Sequence, residues 1–193
     1  RMCGRYQFSA DEYKEIRQIV RDAQRRSEGN ERNFPMAGDI CPSQVAPVLV
    51  SRGEKIVGEF QQWGLPGFCG RQQIINARAE TVTEKPMFRR SIAFQRCVIP
   101  ATGFYEWDAA KHKYFFQMPG QPIYLAGIYD NISGVNCFII LTTEPNDSVA
   151  PIHDRMPLLL SHEQVRPWWV DAGAALELLC NRPPLLQRTS CDG

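Results

Sequence analysis

The sequence predicts an α+β domain with a mainly antiparallel, curved sheet and a few flanking helices. Short runs rich in β-branched and aromatic residues recur through the chain, split by Gly, Pro, Asn and Asp. Helical spacing is confined to an N-terminal stretch and two short C-terminal ones. Neither an internal repeat nor a low-complexity linker breaks the 193 residues, so one domain with room for a sizeable core is expected.

Ser9 followed by Glu12 has the form of a capping box, each side chain satisfying a free backbone N–H. Behind it Tyr13, Ile16, Ile19, Val20 and Ala23 recur at helical spacing, and Gly29 can stop the helix. The turn-rich run NERNFPMAGDICPSQVAP reads as loop. Val45–Val50 and Ile56–Trp63 read as strands joined near Arg52, Gly53 and Glu54. Further strands are expected at Arg96–Ile99, Gly103–Trp107, Tyr114–Gln117, Ile123–Tyr129 and Cys137–Thr143. Ser161 with Gln164 opens a second capping pattern before a short helix interrupted at Pro167, and Asp171 caps a last helix through Leu179.

The bulk numbers exclude several classes. No run of 18 apolar residues exists, so no membrane span is expected, and no basic-then-apolar leader points to secretion. Seven cysteines without a CxxC pair argue against a disulfide framework and a thiolate zinc site, and the three histidines lack metal-ligand spacing. An intracellular protein without metal or cofactor is expected. The net charge of +1 means that any nucleic-acid surface must be local.

Four stretches carry chemistry-bearing residues: Cys3-Gly4-Arg5, Asn76-Ala77-Arg78-Ala79-Glu80, Gly103-Phe104-Tyr105-Glu106-Trp107, and Ile152-His153-Asp154-Arg155 between Pro151 and Pro157. Each also has a structural reading. Cys3 can be a small hydrophobe starting the first strand, Asn76 a turn residue, Glu106 a solvated strand residue and His153 a satisfied loop histidine. Glu106 stands out because strand alternation puts it beside Phe104 with Tyr105 and Trp107 opposite, so neither face is plainly polar. A carboxyl desolvated by aromatic rings has a raised pKa, which suits proton transfer near neutral pH.

Together MCGR, NARAET, GFYEW and IHDRMP resemble the SRAP family, the SOS-response-associated peptidase proteins, whose members protect abasic sites in single-stranded DNA. The motifs run in the family's order over residues 2 to 157. The resemblance implies a compact fold around a barrel-like antiparallel sheet, with Cys3, Asn76, Glu106 and His153 as active-site residues. It places Arg5 and Arg78 near DNA phosphates, and aromatics of WGLPGFCG, here Trp63 and Phe68, against bases. Three features depart from the family's pattern. A second tryptophan is missing after WGLPGFCG, the C-terminus lacks the family's asparagine-rich segment, and Arg1-Met2 precede the cysteine.

The chemistry of an N-terminal cysteine agrees with that resemblance. If Arg1 is a cloning remnant and Met2 is removed, Cys3 carries an amine and a thiol. An α-amine with pKa of about 7.7–8.0 is roughly 10–20% free base at pH 7, against about 0.04% for a lysine. It can attack the open-chain aldehyde of an abasic sugar, and the thiol of the same residue can close a five-membered thiazolidine. His153 is expected to protonate the ring oxygen, Glu106 to shuttle protons, and Asn76 to hold the amine or aldehyde oxygen.

For DNA contact, Arg71, Arg78, Lys85, Arg89, Arg90 and Arg96 face only Glu80 and Glu84 along that stretch, forming a candidate phosphate-tracking patch. The expected partner is single-stranded DNA containing abasic sites, bound by a monomer. Two alternatives stay open at this level: a thiol peptidase with Cys3 as nucleophile and His153 as base, acting on its own leader, and a non-catalytic reader of single-stranded or modified DNA.

Overall fold

A computed structural model describes residues 3–27, 34–67, 69 and 72–192. Its strands are β1 (Tyr6–Ser9), β2 (Ala37–Ile40), β3 (Val45–Arg52), β4 (Lys55–Trp63), β5 (Asn76–Arg78), β6 (Arg96–Ala101), β7 (Gly103–Trp107), β8 (Lys113–Gln117), β9 (Ile123–Ile132), β10 (Val135–Thr143), β11 (Met156–Pro157), β12 (Leu159–Leu160) and β13 (Gln187–Ser190). The helices are α1 (Lys14–Arg26), α2 (Pro86–Phe94), α3 (His162–Val170) and α4 (Ala172–Leu178).

Five strands close into a barrel in the order β4-β3-β6-β9-β10. Four of the pairings are antiparallel, and β10 returns to β4 through a short parallel register, Cys137 to Gln62 and Phe138 to Trp63. Closure removes free sheet edges. Alternation along the strands then sorts the side chains into two cores. Val48, Val50, Cys97, Ile99, Leu125, Phe138 and Ile140 fill the inside, while Val98, Ala126, Ile128, Ile139 and Leu141 face the helices outside. Gly58 lets α1 lie close on β4, since a Cβ there would stand 2.5 Å from Ile19 O. Asp22 of α1 accepts the Gly58 N–H at 2.7 Å.

The second sheet is antiparallel throughout, in the order β13-β8-β7-β1-β2. Tyr6, Phe8, Phe104 and Phe116 on its inner face are fully buried in the same core that fills the barrel. This puts Glu106, on the inner face of β7, at the junction between sheet and barrel.

Several local expectations are corrected. The capping box at Ser9 does not form: Ser9 pairs with Ala37 in a strand, and α1 starts at Lys14 behind Tyr13 with no side-chain cap. Arg17 instead reaches back to the carbonyls of Ala10 and Asp11, each at 3.2 Å. The stop expected at Gly29 lies outside the described residues. Part of the turn-rich run is β2, an edge strand defined by its pairing with β1 rather than by its own composition. Pro167 does not interrupt α3, because burial of Trp168 and Trp169 directly behind it outweighs one lost helical bond. Gln164 does accept the Ser161 N–H, at 2.9 Å, and Asp171 caps α4 through the N–H groups of Gly173 and Ala174.

Two buried arginines hold the frame around the site. Arg96, counted above with the DNA-facing cations, is 9% exposed and turned inward. Its guanidinium donates to Ile92 O at 3.0 Å, Ala93 O at 2.8 Å and Trp169 O at 2.9 Å, and also to Trp168 O. These are last-turn carbonyls of α2 and α3, which lack helical partners and carry the negative ends of two helix dipoles. Arg155 clamps the other motifs. Its two terminal nitrogens meet the Glu80 carboxylate at 3.0 and 2.8 Å, and Nη2 also reaches Thr142 O at 2.9 Å and Oγ1 at 3.1 Å. The fork therefore ties the residues before β11 to those after β5, across the end of β10.

Replacing Arg96 by Met should orphan buried carbonyls at two helix ends and lower stability by about 2–4 kcal/mol. A urea midpoint equal to wild type would refute that role. For Glu80, burial alone pushes the carboxyl pKa up, but the Arg155 hydrogen bonds and the Arg155 and Arg78 charges leave it below the ordinary value. Stability from a lowered pKa is full above the unfolded value, about 4.3, and is lost as pH falls through the folded one. Glu80→Gln should thus be less stable than wild type at pH 7 and lose that deficit on titration to pH 3; a pH-independent difference in melting temperature would contradict the clamp.

Candidate active site

The site is assembled from the chain's start, the second sheet and the loop before β11. Gly4 and Cys3 precede β1, and the β1–β7 register of Tyr6 with Phe104 carries them alongside Glu106. Cys3 takes a left-handed backbone, φ 37°, a conformation uncommon for any residue but glycine. Its backbone N–H donates to Glu106 Oε2 at 3.0 Å. Both residues are sequestered from solvent, Cys3 fully and Glu106 to 1% exposure.

The second Glu106 oxygen faces His153, with Oε1 3.8 Å from Nε2. That separation is too long for a hydrogen bond and leaves room for a ligand atom to pass a proton between them. His153 is turned by its own loop. Its backbone N–H donates to Val149 O at 3.0 Å, and the Arg155 backbone N–H donates to Nδ1 at 3.1 Å. Accepting that bond puts the proton of the neutral ring on Nε2, the nitrogen facing Glu106. Arg155 O and Asp154 Oδ1, each 3.3 Å from Nδ1, are placed to accept from the doubly protonated ring.

Burial dominates the electrostatics of Glu106 and pushes its carboxyl pKa up; the Cys3 N–H bond and His153 pull the other way without cancelling it. The Cys3 thiol is pushed well above its ordinary value, first by burial and then by the Glu106 charge. At neutral pH it is a thiol, not a thiolate. This is the opposite of the environment that activates a cysteine-protease nucleophile.

Asn76 sits at the start of β5, in register with Ile140 of β10, and its Nδ2 donates to Ile140 O at 3.3 Å. No side-chain bond joins it to Cys3, Glu106 or His153 among the described residues. Arg78, two residues on, shares its strand face and is exposed. Lys85, Arg89 and Arg90, on and just before α2, are exposed too, so this patch is available where Arg96 is not. Arg5 is half-buried with its guanidinium 5.8 Å from the centre of the Trp107 ring. Phe68 and Arg71 lie outside the described residues, as do Arg1 and Met2.

Trp63 is a correction. It is 0% exposed, packed on Tyr6 at 5.4 Å and Phe138 at 6.1 Å between ring centres, so it offers no face to a base. Its Nε1–H donates to Ile75 O at 3.1 Å, the same carbonyl that accepts from Ile140 N. Trp63 thus anchors the residue before Asn76. Arg155 and Glu80 were within the quoted motifs, but nothing in their local pattern revealed a clamp. Lys113 was missed as well; its Nζ lies 4.2 Å from the Tyr105 ring centre and 5.9 Å from that of Trp107.

Comparison with known proteins bears on this arrangement. The Bacillus subtilis protein named abasic site processing protein YoqW is 33% identical over 183 residues, covering 86% of this chain and 80% of that one. Abasic site processing protein YoaM of the same organism is 37% identical over 145 residues, covering 67% of this chain and 64% of YoaM. A crystal structure of a Bacteroides thetaiotaomicron protein superposes with a TM-score of 0.75 at 24% identity, covering 97% of this chain and 91% of the other, which shows a shared fold. The profile of SRAP, described as SOS response associated peptidase, matches residues 2–185, which include all four site motifs. The chain belongs to the SRAP family.

Proposed function

We propose that this protein captures abasic sites in single-stranded DNA by forming a thiazolidine with Cys3, once the residues ahead of Cys3 are removed and its nitrogen is a free amine. The observation that carries this reading is the 3.0 Å bond from Cys3 N to the buried Glu106 carboxylate. It places a base on the one nitrogen that must lose a proton before it can attack. The names of YoaM, YoqW and the Escherichia coli protein YedK, all abasic site processing proteins, support the substrate class.

The steps balance without an oxidant or cofactor. Doubly protonated His153, its Nδ1–H facing Arg155 O, gives its Nε2 proton to the sugar ring oxygen while the anomeric hydroxyl yields its own proton to solvent, opening the hemiacetal to the aldehyde. Glu106 takes a proton from the Cys3 ammonium, and the free amine adds to the aldehyde carbon. The resulting carbinolamine loses water, with protons relayed by Glu106 and His153, and leaves an imine. The thiol then adds across the C=N bond: the S–C bond forms, nitrogen takes up a proton, and the thiol loses its own. One water leaves overall. A thiol kept protonated by burial suits this order, because it leaves the amine to react first.

Asn76 is assigned to hold the aldehyde oxygen or the amine, and Arg5, Arg78, Lys85, Arg89 and Arg90 to contact phosphates. A monomer suffices for all of these steps. No observation favours the peptidase reading, since the environment of the Cys3 thiol raises its pKa rather than lowering it.

Intact mass of leader-free protein incubated with uracil-excised single-stranded DNA should show an adduct at the summed mass less one water. Cys3→Ala should give none; a denaturation-resistant adduct from that variant would sink the assignment. Glu106→Gln should slow adduct formation by on the order of 10²–10⁴-fold. In the wild type Glu106 itself deprotonates the ammonium, so the log rate should stay level as pH falls through the amine value and drop with slope one only below the raised Glu106 value. That break belongs above the ordinary glutamate value of about 4.3 and should vanish in Glu106→Gln. Identical profiles would remove Glu106 from proton transfer.

A further inference from the structure

The outer face of the second sheet is unaccounted for by the chemistry above. The helices pack on the barrel strands, α1 on β3 and β4, α2 on β6 and β9, α3 on β3, β6 and β12. The face of β1, β7 and β8 opposite the core instead carries the half-buried Arg5, Trp107, Lys113 and Phe115, with Tyr105 beneath them at 8% exposure. Lys113 lies between the Tyr105 and Trp107 rings, and Arg5 covers Trp107 from the next strand. Tyr105 and Phe115 are cross-strand partners with ring centres 5.1 Å apart.

Phe115 is held flat by a glycine. A Cβ on Gly103 would stand 2.3 Å from Phe115 Cζ and 2.5 Å from Phe116 O, so the ring fills the space a side chain at 103 would need. Tyr105 is fixed in turn by donating to Asp39 Oδ1 at 3.0 Å and accepting from Gln7 Nε2 at 3.2 Å. The two cations contrast with these restrained rings: neither Arg5 nor Lys113 belongs to an ion pair among the described residues. Their charges rest on aromatic faces alone. The nearby carboxylates are engaged, Asp39 with Tyr105 and Asp108 with His112, while Asp192 accepts the Lys113 backbone N–H.

This face meets the active site at one end of the sheet. The register of Tyr6 with Phe104 and of Trp107 with Lys113 puts Cys3, Trp107 and Lys113 along the same rim. Glu106 turns inward from that rim to Cys3, and its neighbour Trp107 turns outward. Arg5 lies two residues from Cys3, about 7 Å of strand.

We propose that this outer face is a stacking platform for single-stranded DNA, which leads the strand over the rim to Cys3. Half-exposed rings beside unneutralised cations are what a flexible polyanion with aromatic bases requires: bases stack on Trp107 and Phe115, Tyr105 supports them from below, and phosphates meet Arg5 and Lys113. The proposal rests on the abasic-DNA reading for the direction in which the strand is led. The platform itself is tested without any abasic site.

Fluorescence anisotropy with an unmodified dT 20-mer measures it. Phe115→Ala should weaken binding on the order of tenfold, the scale of one lost base–aromatic stack. Lys113→Gln, which removes the charge and keeps most of the side chain, should weaken binding and lower the slope of log K against log salt by about 0.7, one single-strand phosphate contact. Wild-type affinity and slope in Lys113→Gln would overturn the platform, whatever Phe115→Ala does, and so would a wild-type protein that does not bind the 20-mer. Adduct mass on an abasic strand, taken in parallel with wild type only, reports on the covalent chemistry separately. Binding that depends on Phe115 and Lys113 without any adduct supports the platform and removes the chemistry.

Discussion

A buried carboxylate governs this structure. Glu106 is almost without contact with solvent at the seam of sheet and barrel, where an unpaired charge would cost several kcal/mol. It is tolerable only because two partners arrive from distant parts of the chain, the Cys3 N–H and His153. Each partner needs its own support. Cys3 is carried in by β1, which is locked between β2 and β7, and by a left-handed turn of its backbone. His153 is set by Val149 O and the Arg155 N–H, and Arg155 is in turn anchored on Glu80 and Thr142. Trp63 holds Ile75, and through it Asn76, to β10. The barrel therefore works as a frame that brings four separated motifs to one end of β10.

Much of this was legible in the sequence because it follows from short-range rules. Strand alternation located β7 to the residue and set Glu106 opposite Tyr105 and Trp107. The turn at Gly53, φ 65°, joined β3 to β4 as its residues required. The Asp171 cap and the Gln164 bond of α3 were equally local. What escaped were features whose meaning depends on a partner far along the chain. Nothing in AGDI marks a strand until β1 lies beside it. Pro86 at the first turn of α2 was the available signal for that helix, but the basic residues behind it drew a reading as a charged surface.

The cations show the same divide. A count of arginines cannot separate a charge that faces DNA from one that faces backbone carbonyls, and Arg78 and Arg96 are indistinguishable by that measure. Geometry separates them at once: Arg96 terminates two helices from inside, and Arg78 is exposed beside Asn76. Trp63 was misread for a related reason. An aromatic residue next to a Gly-Pro loop looks like a surface wedge, yet strand β4 ends in it and turns it toward Tyr6 and Phe138. Large rings at the ends of barrel strands are the ones best placed to plug the barrel.

The electrostatics also bear on the choice between chemistries that share a cysteine. A peptidase needs a thiolate, and hence a cation or a helix N-terminus near sulfur. Here the group nearest the cysteine backbone is a carboxylate in a dry setting, which disfavours a thiolate and favours a positive charge on nitrogen. The same carboxylate, with its pKa raised by burial, is a better proton acceptor than an ordinary glutamate. Under the proposed capture, an environment that suppresses sulfur as a nucleophile while supplying nitrogen with a base suits one order: the amine attacks first, and the thiol acts after carbon has become an imine. The Glu106 environment, more than the presence of Cys3, is what supports the proposed aldehyde capture over the peptidase reading.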